Sequence, residues 1–451
     1  MSRYTSDDIF RIVEEEDVAF IRLQFCDIFG TPKNIAITPG QLSRALSNEI
    51  VFDGSSIAGF TREDESEMVL HPDPESFDIY PWRPQSGKVA RMYCDVHTLD
   101  GEPFPGDPRH VLKNVVSDAE RAGYHIEVEP EPEFFLFDCD DSGHPVAQTR
   151  EHAGYFDVAP ADQGENVRRD IIFNLEEMGF TVTASHHEIA PAQHEIDFAG
   201  APALITADRL MTFRMAVKTI ARKHGLYATF MPKPLEGING SGMHLNIRLT
   251  DTEGHDLLSG ADDPLGLSPT AYSFIAGVLG HIRGIALVTN PLINSYKRLV
   301  PGYDAPVDVS WSATSANRTA LIRIPSERGD RTRIEIRNPD ASCNPYLALA
   351  LCIAAGLDGV KRGLTPPEEI GGRREHTSTA KSVSGDPSYH VFETLPQTMG
   401  EAIRQYSQDD FVKRILGDTI YRHLLAAKRE EWQRFRSCVT GWEMQEYLEK
   451  V

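Results

Sequence analysis

Alternating apolar and polar positions predict short strands in the first hundred residues. Residues 18–30 (VAFIRLQFCDIFG), 32–38 and 88–96 are rich in β-branched and aromatic side chains. Each run is bounded by glycine, proline or aspartate, which are the residues that end strands. We therefore predict that this region is built mainly from strands and turns.

A mixture of helices and strands follows. Residues 108–123 begin with proline and end with glycine, and 161–179 also end with glycine, as helices often do. Between them, 124–137 (YHIEVEPEPEFFLF) has the composition of a strand. This alternation continues to about residue 350 and predicts an α+β fold.

The length of the chain suggests two domains. A single core rarely organises 451 residues, and the Pro/Gly-rich passage 102–108 (EPFPGDP) has the composition of a linker. We predict a small N-terminal domain over 1–105 and a larger C-terminal domain over 106–451. The apolar runs near 273–293 and 346–356 are short or interrupted by charge, which predicts buried helices rather than membrane spans.

Charge and composition narrow the function classes. The net charge is −22, which disfavours nucleic acid as a partner. The polar, acidic N-terminus carries no targeting signal, so we expect a cytoplasmic protein that has no membrane partner.

Only 12 of the 45 basic residues are lysine, which suggests a surface adapted to high salt, and an ordinary acidic bacterial enzyme is the alternative. The six scattered cysteines include no CxxC pair and predict reduced thiols rather than a zinc site.

Glu131 and Glu133 are the first candidate site residues. Residues i and i+2 of a strand share a face, and two carboxylates about 4 Å apart repel each other by about 1 kcal/mol in water and about 4 kcal/mol near a protein surface. Since an apolar run, 134–137, follows directly, the pair requires protonation, an arginine or a metal. A solvated acidic edge strand is the alternative.

A second acidic cluster lies in HHEIAPAQHEIDF (186–198). Glu188 and Glu195 are seven residues apart with Pro191 between them, so a helix does not bring them onto one face. A bend or hairpin would direct both into one cleft, and a polar loop is the alternative. The histidines do not form HExxH, so a zinc protease is not indicated.

Arginines and a glycine-rich turn complete the candidate chemistry. RTRIEIR (331–337) predicts an amphipathic strand whose charged face is either solvated or binds an anion, and Arg318 and Arg323 lie nearby in sequence. His244 follows the glycine-rich GINGSGM (237–243) and is a candidate metal ligand. Oxygen-rich ligands favour Mg²⁺ or Mn²⁺, and such metals together with arginines suit phosphoryl transfer from a nucleotide. The chain lacks a GxxxxGK[ST] loop.

The chain resembles the type I glutamine synthetases in nine stretches that follow the order of that family. They are FDGSS (52–56), EPEFFLF (131–137), HHEIAPAQHEI (186–196), NGSGMH (239–244), NSYKRLVPGY (294–303), NR (317–318), RIP (323–325), RIEIR (333–337) and NPYLALA (344–350). The resemblance implies a β-grasp N-terminal domain and a catalytic domain with a curved antiparallel sheet flanked by helices. It also implies a homo-dodecamer of two hexameric rings, with active sites between neighbouring subunits.

The resemblance assigns roles residue by residue. One metal would be held by Glu133, Glu188 and Glu195, and the other by Glu131, His244 and Glu335. Glutamate would be bound by Asn239, Gly240, Arg298, Arg318 and Arg337, and ATP by Arg318, Arg323 and Arg333. The implied catalytic residues are Asp53 (from a neighbouring subunit), Asp304, Arg318 and Arg323.

The implied reaction is the ATP-dependent condensation of L-glutamate and ammonia to L-glutamine through γ-glutamyl phosphate. Two to three Mg²⁺ or Mn²⁺ per subunit would neutralise the charge on the transferred phosphoryl group. Asp53 would attract ammonium and take its proton. The resemblance implies glutamate, ammonium and ATP as substrates, and it is compatible with small regulatory proteins as further partners.

The sequence departs from the family in three places. PGYDAP has Asp304 where the family has glutamate, which shortens the reach by about 1.5 Å, and a misplacement of about 1 Å can slow a reaction about 100-fold. Arg248 replaces a hydroxyl residue. GDPSYHVFETLP (385–396) matches the adenylylation segment poorly at Tyr389, so we predict no adenylylation. Arg62, after DGSS, matches the arginine of the branch that glutamine inhibits directly, and a plain surface arginine is the alternative.

Two other functions remain open at this level. A related ligase could join a polyamine or another amine to a carboxylate, although Arg337 and Asp53 favour glutamate and ammonia. A catalytically inactive relative could act as a scaffold or regulator, although all six metal-ligand positions are retained.

Overall fold

The protein is described by a computed structural model over residues 4–59, 67–147, 149, 151–314, 317–371 and 393–451.

The N-terminal domain is built on one six-stranded sheet. The strands are β1 (Val18–Cys26), β2 (Pro32–Ile37), β3 (Ile50–Asp53), β4 (Glu67–Pro72), β5 (Asp78–Ile79) and β6 (Lys88–Thr98). Their order is β2-β1-β6-β4-β3 with β5 beside β6, and β1 runs parallel to β6 while the other pairs are antiparallel.

Two helices in this domain were not predicted from the sequence pattern. They are α1 (Ser6–Glu15) and α2 (Leu42–Leu46). Thr5 and Asp8 form a capping box at the start of α1, and the helix buries Ile9 and Val13. The prediction of a region built mainly from strands and turns therefore missed the helix at 6–15.

The larger domain contains a sheet of nine described strands. They are β7 (His125–Asp138), β8 (Val182–His187), β9 (Gln193–Phe198), β10 (Ala201–Pro202), β11 (Leu226–Thr229), β12 (Met243–Thr250), β13 (Asp308–Ser312), β14 (Ala320–Arg323) and β15 (Ile334–Ile336). Seven follow the order β13-β14-β15-β12-β7-β9-β8, and β10 and β11 also pair with β7. All pairs are antiparallel except β13 with β14.

Helices surround this sheet. They are α3 (Pro108–Arg121), α4 (Glu165–Glu177), α5 (Ala203–Lys223), α6 (Pro269–Thr289), α7 (Ser295–Arg298), α8 (Pro345–Arg362), α9 (Met399–Gln408), α10 (Asp410–Arg436) and α11 (Gly441–Tyr447). Helix α6 is long and apolar enough to cross a membrane, but 72% of its apolar window is buried inside the protein. A Cβ added at Gly277 would lie 2.1 Å from the carbonyl oxygen of Ala355 in α8, so glycine permits the close contact between these helices.

Two hydrophobic cores support the domains. The smaller core is formed by the first sheet and α1, and the larger one fills the space between the second sheet and its helices. Arg109 connects the two domains: its guanidinium lies 2.6 Å from Asp73, 2.8 Å from Asp95 and 2.9 Å from Asp208. Since Arg109 is 3% exposed, this buried ion network holds the domains in one arrangement.

Candidate active site

A polar cleft is lined in part by residues of the strands β7, β8, β9, β12 and β14. Its volume is about 250 Å³, and its described lining comes only from residues between 131 and 337. The lining residues are Glu131, Glu133, Tyr155, His186, Glu188, Ile189, Gln193, Glu195, Asp197, Asn239, Gly240, His244, Arg298, Tyr303, Asp304, Ala305, Arg318, Arg323 and Arg337. Acidic and basic side chains therefore converge in one small cavity.

The first potential ligand group joins Glu131, His244 and Glu335. Strand register places Glu131 of β7 opposite His244 of β12, and β15 pairs with the other edge of β12. His244 Nδ1 lies 3.1 Å from Glu131 Oε2 and 3.2 Å from Glu335 Oε1. One ligand atom from each residue lies within 4.8 Å of the others, which is a spacing that suits a divalent cation.

The second potential ligand group joins His186, Glu188 and Glu195, again within 4.8 Å. The resemblance had assigned Glu133, not His186, to this group. Glu133 lies opposite Glu195 in the sheet and lines the cleft, but its Oε2 accepts hydrogen bonds from Gln193 Nε2 at 2.7 Å and from the Gly242 amide at 3.0 Å.

Burial and crowding change the acidity of these carboxyl groups. Burial and the charge of Glu188 raise the pKa of Glu133 to about 8, and burial with neighbouring carboxylates raises the pKa of Glu195 well above its usual range. Burial also raises the pKa of Asp197 to about 7. Such pKa values mark carboxylates that lack a neutralising partner, and a divalent cation fits this set of oxygen ligands.

Glu131 behaves differently because it has donors around it. Burial opposes ionisation, but hydrogen bonds from His244 and Asn246 and the charge of Arg323 lower the pKa of Glu131 to about 2. Asn246 Nδ2 donates to Glu131 Oε1 at 2.7 Å. Burial in turn lowers the pKa of His244, so its neutral, ligating form is favoured.

The RTRIEIR segment forms only the three-residue strand β15, and only part of its charged face is solvated. Glu335 is 0% exposed. Arg323 binds it with two hydrogen bonds, from Nε at 2.5 Å and from Nη2 at 3.0 Å, and Arg337 Nε lies 3.3 Å away. The solvated face considered from the sequence is therefore wrong for Glu335 and Arg337, which are buried, but it holds for Arg331, whose side chain is 75% exposed.

The remaining arginines of the cleft differ in accessibility. Arg298 is buried and donates to the carbonyl oxygens of Asn338 at 2.8 Å and Arg337 at 3.0 Å. Arg337, also buried, donates to the carbonyl oxygens of Arg318 and of Asp304, the latter at 3.1 Å. The side chain of Arg318 is 48% exposed and lies 3.7 Å from the Asp304 carboxylate, so it is an accessible cation at the cleft.

The loop around Asp304 has an unusual backbone. Asp304 adopts φ +53°, in the left-handed region that aspartate enters more readily than glutamate. The neighbouring ring of Tyr303 lies 3.6 Å from Lys233 Nζ, which also donates to the carbonyl oxygen of Ile238. This contact links the Asp304 loop to the glycine-rich loop that carries Asn239 and Gly240.

Several residues singled out from the sequence lie away from the cleft. Arg333 binds Glu327 at 2.5 Å and Asn246 at 3.3 Å, and Arg248 binds Glu127 at 2.9 Å. Asp53 lies at the end of the edge strand β3 and accepts a hydrogen bond from the Ser55 amide at 2.8 Å. Arg62 and Tyr389 lie outside the described residues.

Sequence reasoning missed His186, Gln193, Asp197 and Tyr155 as cleft residues. His186 was within reach, because the predicted hairpin at 186–198 places it opposite Glu195. Tyr155 had no signal, since it comes from a loop and lies under Arg318, whose guanidinium is 5.7 Å from its ring.

Comparisons with known proteins match the whole chain. The family model for the glutamine synthetase catalytic domain matches residues 105–447, and the model for the glutamine synthetase beta-Grasp domain matches 17–99. The chain is 53% identical over 450 residues to a glutamine synthetase of Clostridium saccharobutylicum, covering 100% of both. It is 48% identical over 449 residues to one of Staphylococcus aureus, covering 99% of both.

Solved structures share the fold. A GmaS/ADP complex aligns with a TM-score of 0.87 and 31% identity, covering 98% of this chain and 99% of that one. A cryo-EM structure of Plasmodium falciparum glutamine synthetase aligns with a TM-score of 0.86 over 99% of both chains. Its 22% identity makes this a likeness of fold alone. The predicted β-grasp domain and large α+β catalytic domain are confirmed by these matches.

Proposed function

The chain belongs to the glutamine synthetase family, and from this premise we propose that its cleft joins L-glutamate to ammonia through a γ-glutamyl phosphate formed with ATP. The enzyme class is that of the glutamate–ammonia ligases. The observation that carries the proposal is one cleft whose lining joins Arg318, Arg323 and Arg337 to every member of the two potential ligand groups except Glu335. Glu335 pairs with Arg323 beside it. We also propose a domain boundary near residue 105, in the gap between the two matched regions.

The two ligand groups would hold two to three Mg²⁺ or Mn²⁺ ions. Glu133 would add its carboxylate to the second group. Glu131, His244 and Glu335 offer two carboxylates and an imidazole, and His186, Glu188 and Glu195 offer the same set. When bound, the metals supply positive charge that stabilises the transferred phosphoryl group. The raised pKa values of Glu133 and Glu195 support this assignment, because ionised carboxylates that crowd together need such a cation.

Arginines would neutralise the remaining charge. Arg323 already makes a bidentate ion pair with Glu335, and it would turn part of its guanidinium to a phosphoryl oxygen. Arg318 would contact phosphate or the glutamate carboxylate from the solvent side. Arg333, with its neighbour Asn246, would contact the nucleotide farther along the sheet. The similarity to the GmaS/ADP complex supports a nucleotide in this fold.

Glutamate would be bound at the base of the cleft. Asn239 and Gly240 form one wall, and a Cβ at Gly240 would lie 2.2 Å from the carbonyl oxygen of Pro232, so only glycine fits there. Arg337 and Arg298 provide buried positive charge beneath the substrate carboxylates. Asp304, held through its backbone by Arg337, would cover the substrate.

Ammonium capture would require a second copy of the chain. The described lining of the cleft contains no residue of 4–59 or 67–105, whereas Asp53 lies on an edge strand of that domain. We therefore propose that Asp53 of a neighbouring copy completes the cleft, within a dodecamer of two hexameric rings. There its carboxylate would attract ammonium and take its proton, which leaves neutral ammonia to attack γ-glutamyl phosphate and displace phosphate.

Regulation, location and habitat are further parts of the proposal. Arg62 would mediate direct inhibition by glutamine, and the poor match at Tyr389 supports the absence of adenylylation. We propose a cytoplasmic enzyme, consistent with the buried position of α6. The 12 lysines among 45 basic residues support adaptation to high salt, which a profile of activity against KCl concentration would test.

The test of the reaction is phosphate release from ATP in the presence of glutamate, Mg²⁺ or Mn²⁺, and either ammonium or another amine. We expect phosphate and glutamine to form in equal amounts with ammonium. Faster release with methylamine or a polyamine would instead assign the chain to another carboxylate–amine ligase. No amine-dependent release under any of these conditions would refute the proposal and favour an inactive relative.

A further inference from the structure

A single buried carboxylate contacts both ends of the turn that carries Glu188. This turn, residues 188–192, connects β8 to β9. Glu151, which is 4% exposed, comes from a separate segment. Its Oε2 lies 3.0 Å from His187 Nε2 at the end of β8 and accepts a 2.5 Å hydrogen bond from the Ala192 amide just before β9.

The first end of the turn is held through His187. This imidazole is 0% exposed, and its Nδ1 lies 2.6 Å from the backbone carbonyl oxygen of Glu188. Both ring nitrogens therefore lie within hydrogen-bond distance of an oxygen atom. The contacts form a continuous path from the Glu151 carboxylate to the backbone of Glu188.

The second end of the turn is held at a strained residue. Ala192 adopts φ +63°, a conformation that costs about 1–3 kcal/mol for a residue other than glycine. The hydrogen bond from its amide to Glu151 offsets part of this cost. The next residue, Gln193, donates from Nε2 to Glu133 Oε2 at 2.7 Å. The position of Ala192 therefore also affects a second carboxylate of the cleft, that of Glu133.

The same region could be mistaken for a third metal site. Glu151, Asp162, His187 and His194 each offer a ligand atom within 4.8 Å of the others. However, Arg168 donates to Asp162 Oδ2 at 2.7 Å and lies 2.8 Å from His194 Nδ1. Its guanidinium supplies the positive charge that the group needs, so a metal ion is not required there.

We propose that Glu151 is a positioning residue that clamps the turn 188–192 and so sets the metal affinity of the second ligand group. The inference rests on the proposed function only in that the cleft binds a divalent cation. Glu151 reaches neither substrate nor metal, since it lies behind the turn and outside the lining of the cleft. It acts through the backbone of Glu188 and through Gln193.

The variant Glu151→Gln tests the clamp with little change in shape. Glu151 uses both oxygens as acceptors, because Oε1 also accepts from the Gln163 amide at 2.7 Å. An amide offers one acceptor oxygen, so either the Gln163 amide or both His187 and the Ala192 amide lose their partner. We expect the dissociation constant for Mn²⁺, measured by titration without substrates, to rise roughly 10- to 100-fold, which is the usual effect of losing a group that orients a ligand.

Asp208→Asn is the matched control for a buried carboxylate. Asp208 is 7% exposed and accepts from Arg109 and Tyr346 away from the cleft. We expect this variant to lower the melting temperature while the Mn²⁺ affinity stays within about twofold of the wild type. Loss of Mn²⁺ affinity in E151Q but not in D208N then separates positioning from general destabilisation.

Two more variants test the contacts at the two ends of the turn. His187→Gln breaks one end of the clamp, and we expect a smaller rise in the Mn²⁺ dissociation constant than in E151Q. Ala192→Gly removes the strain, and combining it with E151Q should restore part of the affinity. Unchanged Mn²⁺ affinity in both E151Q and H187Q, or in H187Q alone where E151Q does not fold, would overturn the inference.

The binding experiment is independent of turnover. If the wild type binds Mn²⁺ and E151Q weakens it while no amine-dependent phosphate release occurs, the clamp stands and the proposed reaction fails. If the wild type is active and both E151Q and H187Q bind Mn²⁺ normally, the reaction stands and the clamp fails.

Discussion

Glu133 offers a direct test of the electrostatics of the cleft. It is 9% exposed and lies among carboxylates, and burial together with the charge of Glu188 raises its pKa from 4.5 to about 8. Glutamine has nearly the shape of the protonated glutamate but cannot ionise. We predict that Glu133→Gln makes the metal-free protein less sensitive to rising pH.

The sign and size follow from the pKa difference between the folded and unfolded states. Below about pH 4.5 the Glu133 carboxyl is protonated in both states, so it adds no pH dependence. Between pH 4.5 and about 8 the unfolded chain releases the proton while the folded protein keeps it, so the free energy of unfolding falls. At about 1.4 kcal/mol per pH unit, a pKa rise of about 3.5 amounts to a loss of at most about 5 kcal/mol, complete near pH 8.

The assay is thermal unfolding of the chelator-treated protein from pH 5 to pH 9, with and without Mn²⁺. We expect the wild type to lose stability across this range without metal and to regain it when Mn²⁺ is added, most strongly above pH 7, because the metal binds the ionised carboxylates. E133Q should be the more stable protein without metal at pH 8. It should also gain less from Mn²⁺, because it has lost an anionic oxygen in the cleft.

Glu127→Gln is the control on the same strand. Glu127 is 42% exposed and pairs with Arg248 on the solvent side, so its replacement should change stability by less than about 1 kcal/mol. If E133Q and the wild type lose stability in parallel as the pH rises, Glu133 is not the group that titrates and the reasoning fails.

Three further predictions follow from individual contacts. Asp304→Glu should raise kcat with glutamate if reach limits the reaction, whereas an unchanged or lower kcat would show that the left-handed φ of +53° decides which acid fits. Arg109→Met leaves buried carboxylates unpaired, including Asp208, and should lower the free energy of unfolding by about 3–5 kcal/mol in urea titrations; a loss under about 1 kcal/mol would contradict the buried network. Lys233→Met removes the contact to the Tyr303 ring and should raise the KM for glutamate more than the KM for ATP in steady-state assays; equal changes would argue against a link between the two loops.

Much of the fold was predictable from local pattern. Proline and glycine mark a helix at 108–123, and the structure has α3 (Pro108–Arg121) there. The strand predicted at 124–137 is β7 (His125–Asp138). In contrast, α1 was missed because its apolar residues are few and lie among acidic ones. The domain boundary and the site roles stay predictions.

The candidate site could be predicted only in part from the sequence. The two-residue period of β7 put Glu131 and Glu133 on one face without showing what neutralises them. His244 alone was a weak signal, and only its register opposite Glu131, 113 residues away in sequence, brings the two side chains to 3.1 Å. The resemblance to a family named these residues in advance, but it did not indicate that His186 groups with Glu188 and Glu195.

The sequence by itself determined the positions of several strands and helices, the family and the stretches that carry its chemistry, because these depend on side chains a few residues apart. Only the tertiary structure decided which carboxylates crowd together, which arginines are buried and how Glu151 holds a turn 41 residues away from it. The physical reason is that burial and strand register set distances and local dielectric, and both depend on the packing of segments that are remote along the chain.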